Sequence, residues 1–408
     1  MRILSCCWGS AGDISPQIYL GGELARRGYD VHVITNPYFE DLVASSNVAF
    51  TPVGTRKDHE DLLADSDLFM SRGKTVDQVE EVFSRHYYPF LEPLCVALES
   101  LYIPGHTCLL TGELIASISF SEFREVPLIS LQISPDIAQR SQFDPRRILP
   151  WVGSTMSPNH PVTRLREGMG LSTISAAYNP VKILCLWPEW FAPPQADWPF
   201  NTLNTGFVLP SSVSPGDKPR NDGSECEAPE KSIVFTTGSV ASGQAEFFIT
   251  AIEVCQRLGI HGRLVTPNRD QVPERLPSNI EYIPHVPFEV LFSQASLVVH
   301  HGGIGTGAIA LAAGVPQILC PLAGDQFYNA HRFESLGVGK VIAARDISCE
   351  PLIEAVQEML GCPSVARQCA HWKSRMAEQN GARLAADFFD RDLAALANTV
   401  AGAAIDRR

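Results

Sequence analysis

Two histidines, a run of glycines, a threonine and a more distant acid–amide pair stand together in residues 296–330. His300-His301 follow Leu297-Val298-Val299, an apolar run that reads as a buried strand. Gly302-Gly303 and Gly305-Thr306 come next, where a small-residue helix begins. Glycines let a backbone approach an anion closely. The free N–H groups and dipole of a helix start favour negative charge there. A second strand, Gln317 to Leu322, leads to a short polar tip at Asp325-Gln326. A carboxylate and an amide one strand further on suit the hydroxyls of whatever the phosphate carries. The chemistry these residues can do is to hold a sugar joined to a nucleotide.

Three other readings compete for the same residues. Gly305-Thr306-Gly307-Ala308-Ile309-Ala310 fits the G-x-G-x-x-A dinucleotide pattern, with Asp325 at about the distance that pattern asks for. It leaves the two histidines and the Asp325-Gln326-x-x-Asn329-Ala330 run without work, so an NAD enzyme is the weaker reading. Adjacent strand residues point to opposite faces, which argues against a metal held by His300 and His301 together. The histidines could also merely close a strand end.

The chain around them alternates strand and helix signals, which predicts parallel sheets and an α/β fold. Arg2 to Trp8, Asp30 to Thr35, Val48 to Val53, Thr107 to Thr111, Pro127 to Ile133 and Val181 to Trp187 read as strands of a first domain. Residues 56–100 read as helices with loops. Residues 211–230 are rich in serine, glycine, proline and charge and read as a linker. The pattern restarts with Ser232 to Thr236, a loop Thr237-Gly238-Ser239 and a helix from about Gly243 to Leu258. The expected organisation is therefore 1–210, a linker 211–230, 231–379, and a C-terminal helix in 380–408. Two doubly wound Rossmann-like domains facing across a cleft would bring their ligand loops together.

At 408 residues two ordinary domains are expected. Apolar residues at 45% supply their cores, and a net charge of −13 argues against a nucleic-acid surface. Eleven scattered cysteines read as free thiols in a reducing compartment, with Cys6 and Cys7 in the core. No run is long enough to span a membrane, and the N-terminus enters a strand without a signal peptide. A cytoplasmic location is expected; the oligomeric state is not legible.

The stretch His300-His301-Gly302-Gly303, Gly305-Thr306, Gly314-Val315-Pro316-Gln317, Pro321, Asp325-Gln326 and Asn329-Ala330 resembles the donor motif of the UDP-glycosyltransferase superfamily, with spacing kept throughout. The resemblance implies the two-domain GT-B fold. It implies that His300 or His301, Gly302, Gly303, Gly305 and Thr306 hold a diphosphate and that Asp325 and Gln326 hold the sugar. Family members with one histidine place it at either position, so both stay open, with His301 preferred. The family stacks an aromatic on the base in the region of Tyr282-Ile283-Pro284-His285-Val286-Pro287-Phe288. His285 takes that place here, with Tyr282 as a second option.

Ser15-Pro16 reads as a strong helix start, serine capping and proline first. That leaves Asp13, with Gly9 and Gly12 just before it, as an exposed loop carboxylate suited to act as a base. Gly9-Ser10-Ala11-Gly12-Asp13 with Pro16 resembles the loop of bacterial antibiotic and sterol glycosyltransferases, where an aspartate stands at the place of the catalytic histidine of plant relatives. Asp13 would accept the proton of an acceptor hydroxyl as it attacks the anomeric carbon, giving inversion. Ser10, Gly238 and Ser239 are assigned to the donor, whose leaving diphosphate meets the helix start and a histidine. No metal or resident cofactor is expected. Asp65-Ser66-Asp67 and Asp390-Arg391-Asp392 have metal-bridging spacing but read as solvated helix faces.

The run Cys185-Leu186-Trp187-Pro188-Glu189-Trp190-Phe191-Ala192-Pro193-Pro194-Gln195-Ala196-Asp197-Trp198-Pro199, with Thr205-Gly206-Phe207, resembles that of the rhamnolipid rhamnosyltransferases. It implies a deoxysugar such as rhamnose, a dTDP or UDP donor, and a small, partly apolar acceptor. The alternatives carried forward are an NAD-dependent enzyme acting on nucleotide sugars and a non-catalytic accessory subunit. The C-terminal stretch from about Asn380 to Asn398 reads as a helix with Leu384, Phe388, Leu393 and Leu396 as apolar contacts, crossing back onto the first domain as in other GT-B proteins.

Overall fold

The computed structural model describes residues 1–65, 80–112, 114–135, 159–172, 180–196, 198, 201–210, 232–238 and 244–393. The linker at 211–230, Ser239, Ser66, Asp67, Asp197, Pro199 and Leu396 lie outside the described residues. Apolar runs bounded by glycine or polar residues form two sheets, and every pairing in both is parallel. The first is built from β1 (Arg2–Cys6), β2 (Asp30–Thr35), β3 (Ala49–Pro52), β4 (Thr107–Thr111), β5 (Leu128–Gln132), β6 (Lys182–Cys185) and β7 (Thr202–Asn204), in the order β3-β2-β1-β4-β5-β6-β7. The second has β8 (Ser232–Thr236), β9 (His261–Val265), β10 (Ile280–Ile283), β11 (Leu297–His300), β12 (Gln317–Leu319) and β13 (Gly339–Val341), in the order β10-β9-β8-β11-β12-β13.

The same physics builds both units. Strand side chains alternate between faces, and each sheet is covered by helices on both. In the first, Leu4 and Cys6 pack with Leu94, Leu98 and Phe120, while Ile3 packs on the other face with Leu20, Leu24 and Ile129. In the second, Ile233 and Phe235 meet Phe248, Val254 and Val356, whereas Val234 meets Phe292, Val298 and Ala310. Burial on both faces is why central strands such as β4 and β8 are buried at every position. Strand order reverses between β1 and β4 and again between β8 and β11. Ligand loops of doubly wound sheets belong at these reversals.

The run from Cys185 to Trp198 is structural in what it does locally. Trp187 is fully buried, donates from Nε1 to the Ala192 carbonyl at 3.1 Å, and meets Trp198 edge-on at 5.7 Å. Asn204 Nδ2 donates to the carbonyls of Trp187 and Ala192.

The described residues from Asn380 to Leu393 group with the first unit, while most of the second lies within Leu209–Gln379. Asn380 caps the helix Gly381–Phe388 by accepting the Arg383 N–H at 3.0 Å. This helix packs through Ala382, Ala385, Ala386 and Phe388, with Phe389 beyond it, onto Ile3, Leu20 and Leu24. Small residues on that face permit a close approach. Leu384, expected as a contact, is 43% exposed, and the side chain of Leu393 lies outside the described residues. Asp390 faces solvent as expected, and there it accepts from Arg27 at 2.5 Å and from Tyr29 at 3.1 Å. Arg27 also holds Asp387 at 2.8 Å and Glu23 at 2.9 Å.

A Cβ on Gly381 would lie 2.5 Å from the Phe207 carbonyl oxygen and as hard against that of Gly206. Backbone cannot yield as a flexible side chain can. Gly381→Ala is expected to lower stability by about 1–3 kcal/mol. A denaturant midpoint equal to that of the parent protein would contradict this.

Candidate functional site

In the second unit the glycine turn follows β11 directly. Gly303 is the N-cap of the helix Ile304–Ala313, so the N–H groups of Ile304, Gly305 and Thr306 have no intrahelical acceptor. No acidic side chain occupies that first turn. Gly305 is exposed, and a Cβ there would meet nothing within 4 Å. The turn sits at the reversal between β8 and β11, beside the Thr237-Gly238 loop. The result is an open, uncapped helix start.

The two histidines diverge, as alternation along a strand demands. His300 is fully buried; Gly302 N–H donates to its Nδ1 at 3.1 Å, and its Nε2 lies 2.9 Å from Gln317 Oε1. Both ring nitrogens are thus engaged inside the protein. His301 Nδ1 has no hydrogen-bond partner, and its ring is bracketed by two glycines. A Cβ on Gly238 would lie 2.5 Å from His301 Cε1, and one on Gly303 would collide with Nε2. Burial lowers the pKa of His301 to about 3, with the neighbouring His300 adding to the effect. Burial lowers His300 to about 4, partly opposed by its bond to Gln317. Both rings are neutral near pH 7, so His301 would meet an anion as an N–H donor rather than as a cation.

Asp325 and Gln326 are not a loose tip but the start of the helix Gln326–Ser335, with Asp325 at the N-cap position. Asn329 Nδ2 donates to Asp325 Oδ2 at 2.8 Å. Gln326 Oε1 accepts from the N–H groups of Leu322 and Ala323 at 2.8 and 3.1 Å, fixing the segment that leaves β12. That strand ends at Leu319, three residues before the expected end. The helix start packs against the glycine turn: a Cβ on Gly302 would lie 2.9 Å from the Gln326 carbonyl oxygen. His285 is exposed after β10. Tyr282 is half-buried and the Arg269 guanidinium lies over its ring at 5.0 Å. That ring face is taken, which leaves His285 as the exposed candidate for a base.

In the first unit the helix after β1 starts five residues earlier than expected, at Ala11, and runs to Arg26 with Pro16 inside it. Ser10 is the N-cap, and Asp13 Oδ2 accepts from Ser10 N–H at 2.7 Å and Ser10 Oγ at 2.9 Å. Ser15-Pro16 therefore does not cap. A proline this far in gives up one helix hydrogen bond, and the Ser10–Asp13 box supplies compensating bonds at the start. Gly9 is required twice over. Its φ is +123°, and a Cβ there would fall 2.5 Å from Asp13 Oδ2. Asp13 is half-buried, and a carboxylate has about four lone-pair sites, so one that accepts hydrogen bonds can still take a proton. Trp8, just before this loop, meets Tyr87 edge-on at 5.0 Å and Phe83 at 6.2 Å.

Gln317 is the site residue that the motif reading left without a role. A fully buried glutamine inside a strand was the available signal, since a buried amide needs partners. The groups of histidine, cysteine and carboxylate among the described residues include none able to hold a metal. No described helix is long and apolar enough to cross a membrane.

Two parallel sheets, each with a glycine-shaped loop at its reversal, are the units from which a GT-B fold is built. Residues 264–386 match the family described as erythromycin biosynthesis protein CIII-like, C-terminal domain. The oleandomycin glycosyltransferase of Streptomyces antibioticus is 34% identical over 172 residues, 41% of this chain and 39% of that protein. A sterol 3-beta-glucosyltransferase of Leptosphaeria maculans is 24% identical over 96% of this chain and 29% of its own length. The chain thus spans two fifths or less of these curated relatives. Among solved structures, the kitacinnamycin glycosyltransferase superposes with a TM-score of 0.74 at 23% identity, over 96% of this chain and 98% of that one. The spinosyn rhamnosyltransferase complexed with thymidine diphosphate gives 0.64 at 17% identity, over 94% and 99%. Residues 264–386 thus resemble that C-terminal domain family, and the chain has the GT-B fold of these solved glycosyltransferases.

Proposed function

We propose that this chain is an inverting hexosyltransferase that moves a sugar from a nucleoside diphosphate to a hydroxyl of a small acceptor. The observation that carries it is the uncapped helix start at Gly303–Thr306 beside His301, a neutral ring with an unpartnered nitrogen. Such a site suits a diphosphate, and its N–H donors would stabilise the charge that develops as the diphosphate leaves. Asp325 and Gln326 contact the sugar, and His285 lies against the base. Ser10 and the Gly238-Ser239 loop complete the donor contacts. Asp13 takes the acceptor proton. The nucleotide sugar is a co-substrate, and the reaction needs no metal or resident cofactor.

The finer reading is a deoxyhexose such as rhamnose on dTDP or UDP, transferred in the cytoplasm. The Trp187–Phe207 run, the spinosyn rhamnosyltransferase neighbour and its thymidine diphosphate support it. The aromatic side chains of Trp8, Phe83 and Tyr87 near the Asp13 loop support an acceptor with an apolar part. A thermal-shift panel of UDP, dTDP, GDP and NAD, followed by turnover with the best donor, tests it. A ligand at a hundredfold excess over its Kd adds about 2.7 kcal/mol, so dTDP or UDP should raise the melting temperature and NAD should not. Stabilisation by NAD alone would move the protein to nucleotide-sugar redox chemistry.

His301→Ala removes the unpartnered nitrogen and should weaken nucleoside diphosphate binding. Gly238→Ala should do so as well, because its Cβ displaces the same ring and its φ of +81° disfavours a side chain. Calorimetry in which both variants bind like the parent protein would remove His301 from the donor site.

A further inference from the structure

His300 and Gln317 are both fully buried, and the donor reading gives neither a contact with ligand. We propose that they are a positioning pair, which holds the backbone from Gly302 to Gly307 in its anion-binding shape without touching the anion. This rests on the donor site proposed above. Three hydrogen bonds run in series. Gly302 N–H donates to His300 Nδ1 at 3.1 Å, so Nδ1 must offer a lone pair. The ring proton is thereby assigned to Nε2, which donates to Gln317 Oε1 at 2.9 Å. That fixes the amide orientation, and Gln317 Nε2 donates to the Gly307 carbonyl at 3.3 Å. Gln317 pairs in register with Val298, which puts it on the same sheet face as His300.

The series spans the turn from its first glycine to the first turn of the helix behind it. Two apolar residues would fill this volume with no donors to satisfy, and paired replacement of that kind is often nearly neutral for stability. What the polar pair adds is direction. Gly302 has a φ of +85° and no room for a Cβ beside the Gln326 carbonyl oxygen, and His300 holds it through its N–H. With that peptide fixed, His301 and the N–H groups after Gly303 are fixed too. Burial keeps His300 neutral, and only the neutral ring can accept from Gly302.

The test begins with imidazole nitrogen spectra of the full chain labelled with ¹⁵N-histidine. One ring should show the Nε2–H form, unchanged from pH 5.5 to 8, and vanish from the spectrum of His300→Ala. An Nδ1–H form, or titration in that range, overturns the proposal. Binding of dTDP and UDP by calorimetry comes second. His300→Ala and Gln317→Ala should each weaken it roughly tenfold, and the double variant should lose no more than the worse single one. His300→Asn, whose oxygen can replace Nδ1, should retain more affinity and more protection of the Gly302 amide from exchange than His300→Gln. Additive losses, or equal behaviour of the two half-mimics, count against the pair. If the parent protein binds no nucleoside diphosphate, the donor reading fails, while the spectra and the Gly302 exchange still decide whether the pair sets the turn.

Discussion

Asp13→Asn is expected to lower turnover by about 10²–10⁴-fold, the contribution of a general base, while nucleoside diphosphate affinity stays at the parent value. The geometry makes this substitution cleaner than alanine. Asp13 Oδ2 accepts from Ser10 N–H and Ser10 Oγ, and an amide oxygen can keep accepting there. The fold is then preserved while the proton acceptor is lost. Asp13→Ala would remove both at once and should also cost about 1 kcal/mol of stability through the lost cap. Ser10→Ala separates the two roles from the other side. It deletes one bond to the carboxylate and leaves the base, so its effect on turnover should be far smaller than that of Asp13→Asn. Steady-state rates with the best donor from the thermal-shift panel, beside melting temperatures of the three variants, make the comparison. Near-normal turnover by Asp13→Asn would place the base elsewhere.

The parts of the fold that were legible depend on local pattern. Apolar runs such as Leu297–Val299 and Ile233–Phe235 suit strands buried on both faces, as those of parallel sheets are, and the spacing of the glycine turn was readable residue by residue. The start of the first helix was misread because two local signals compete. Ser15-Pro16 is a strong start in isolation, but a serine at 10 with an acid at 13 closes a capping box first. The roles of His300 and His301 were open because alternation says only that they diverge. What turns His300 inward is Gln317 on the neighbouring strand, a partner set by sheet register. The ion pair of the exposed Asp390 was hidden for a similar reason. Arg27, which holds Asp390, is 363 positions away. Leu384 was chosen over the alanines beside it by hydropathy, yet close helix packing selects small residues on the buried face.

Truncation before Asn380 should be among the most damaging changes to the first unit. The removed residues include Phe388 and Phe389, exposed to solvent by 2% and 1%, together with the fully buried Ala382, Ala385 and Ala386. Burying one such ring contributes roughly 1.5–3 kcal/mol, so the two rings alone account for roughly 3–6 kcal/mol of a stability that for a domain totals about 5–15. The loss would also strip Arg27 of Asp387 and Asp390, and uncover Ile3, Leu20 and Leu24. None of the deleted side chains among the described residues packs in the core of the second unit. The expected result is therefore unequal. The truncated chain should lose the unfolding transition of the first unit and all turnover, while the second unit still melts cooperatively and is still stabilised by dTDP or UDP. Calorimetric scans with and without nucleoside diphosphate separate the two transitions. A truncated chain that keeps both, or that loses nucleotide stabilisation first, would mean that the tail supports the donor unit rather than the core of the unit that carries Asp13.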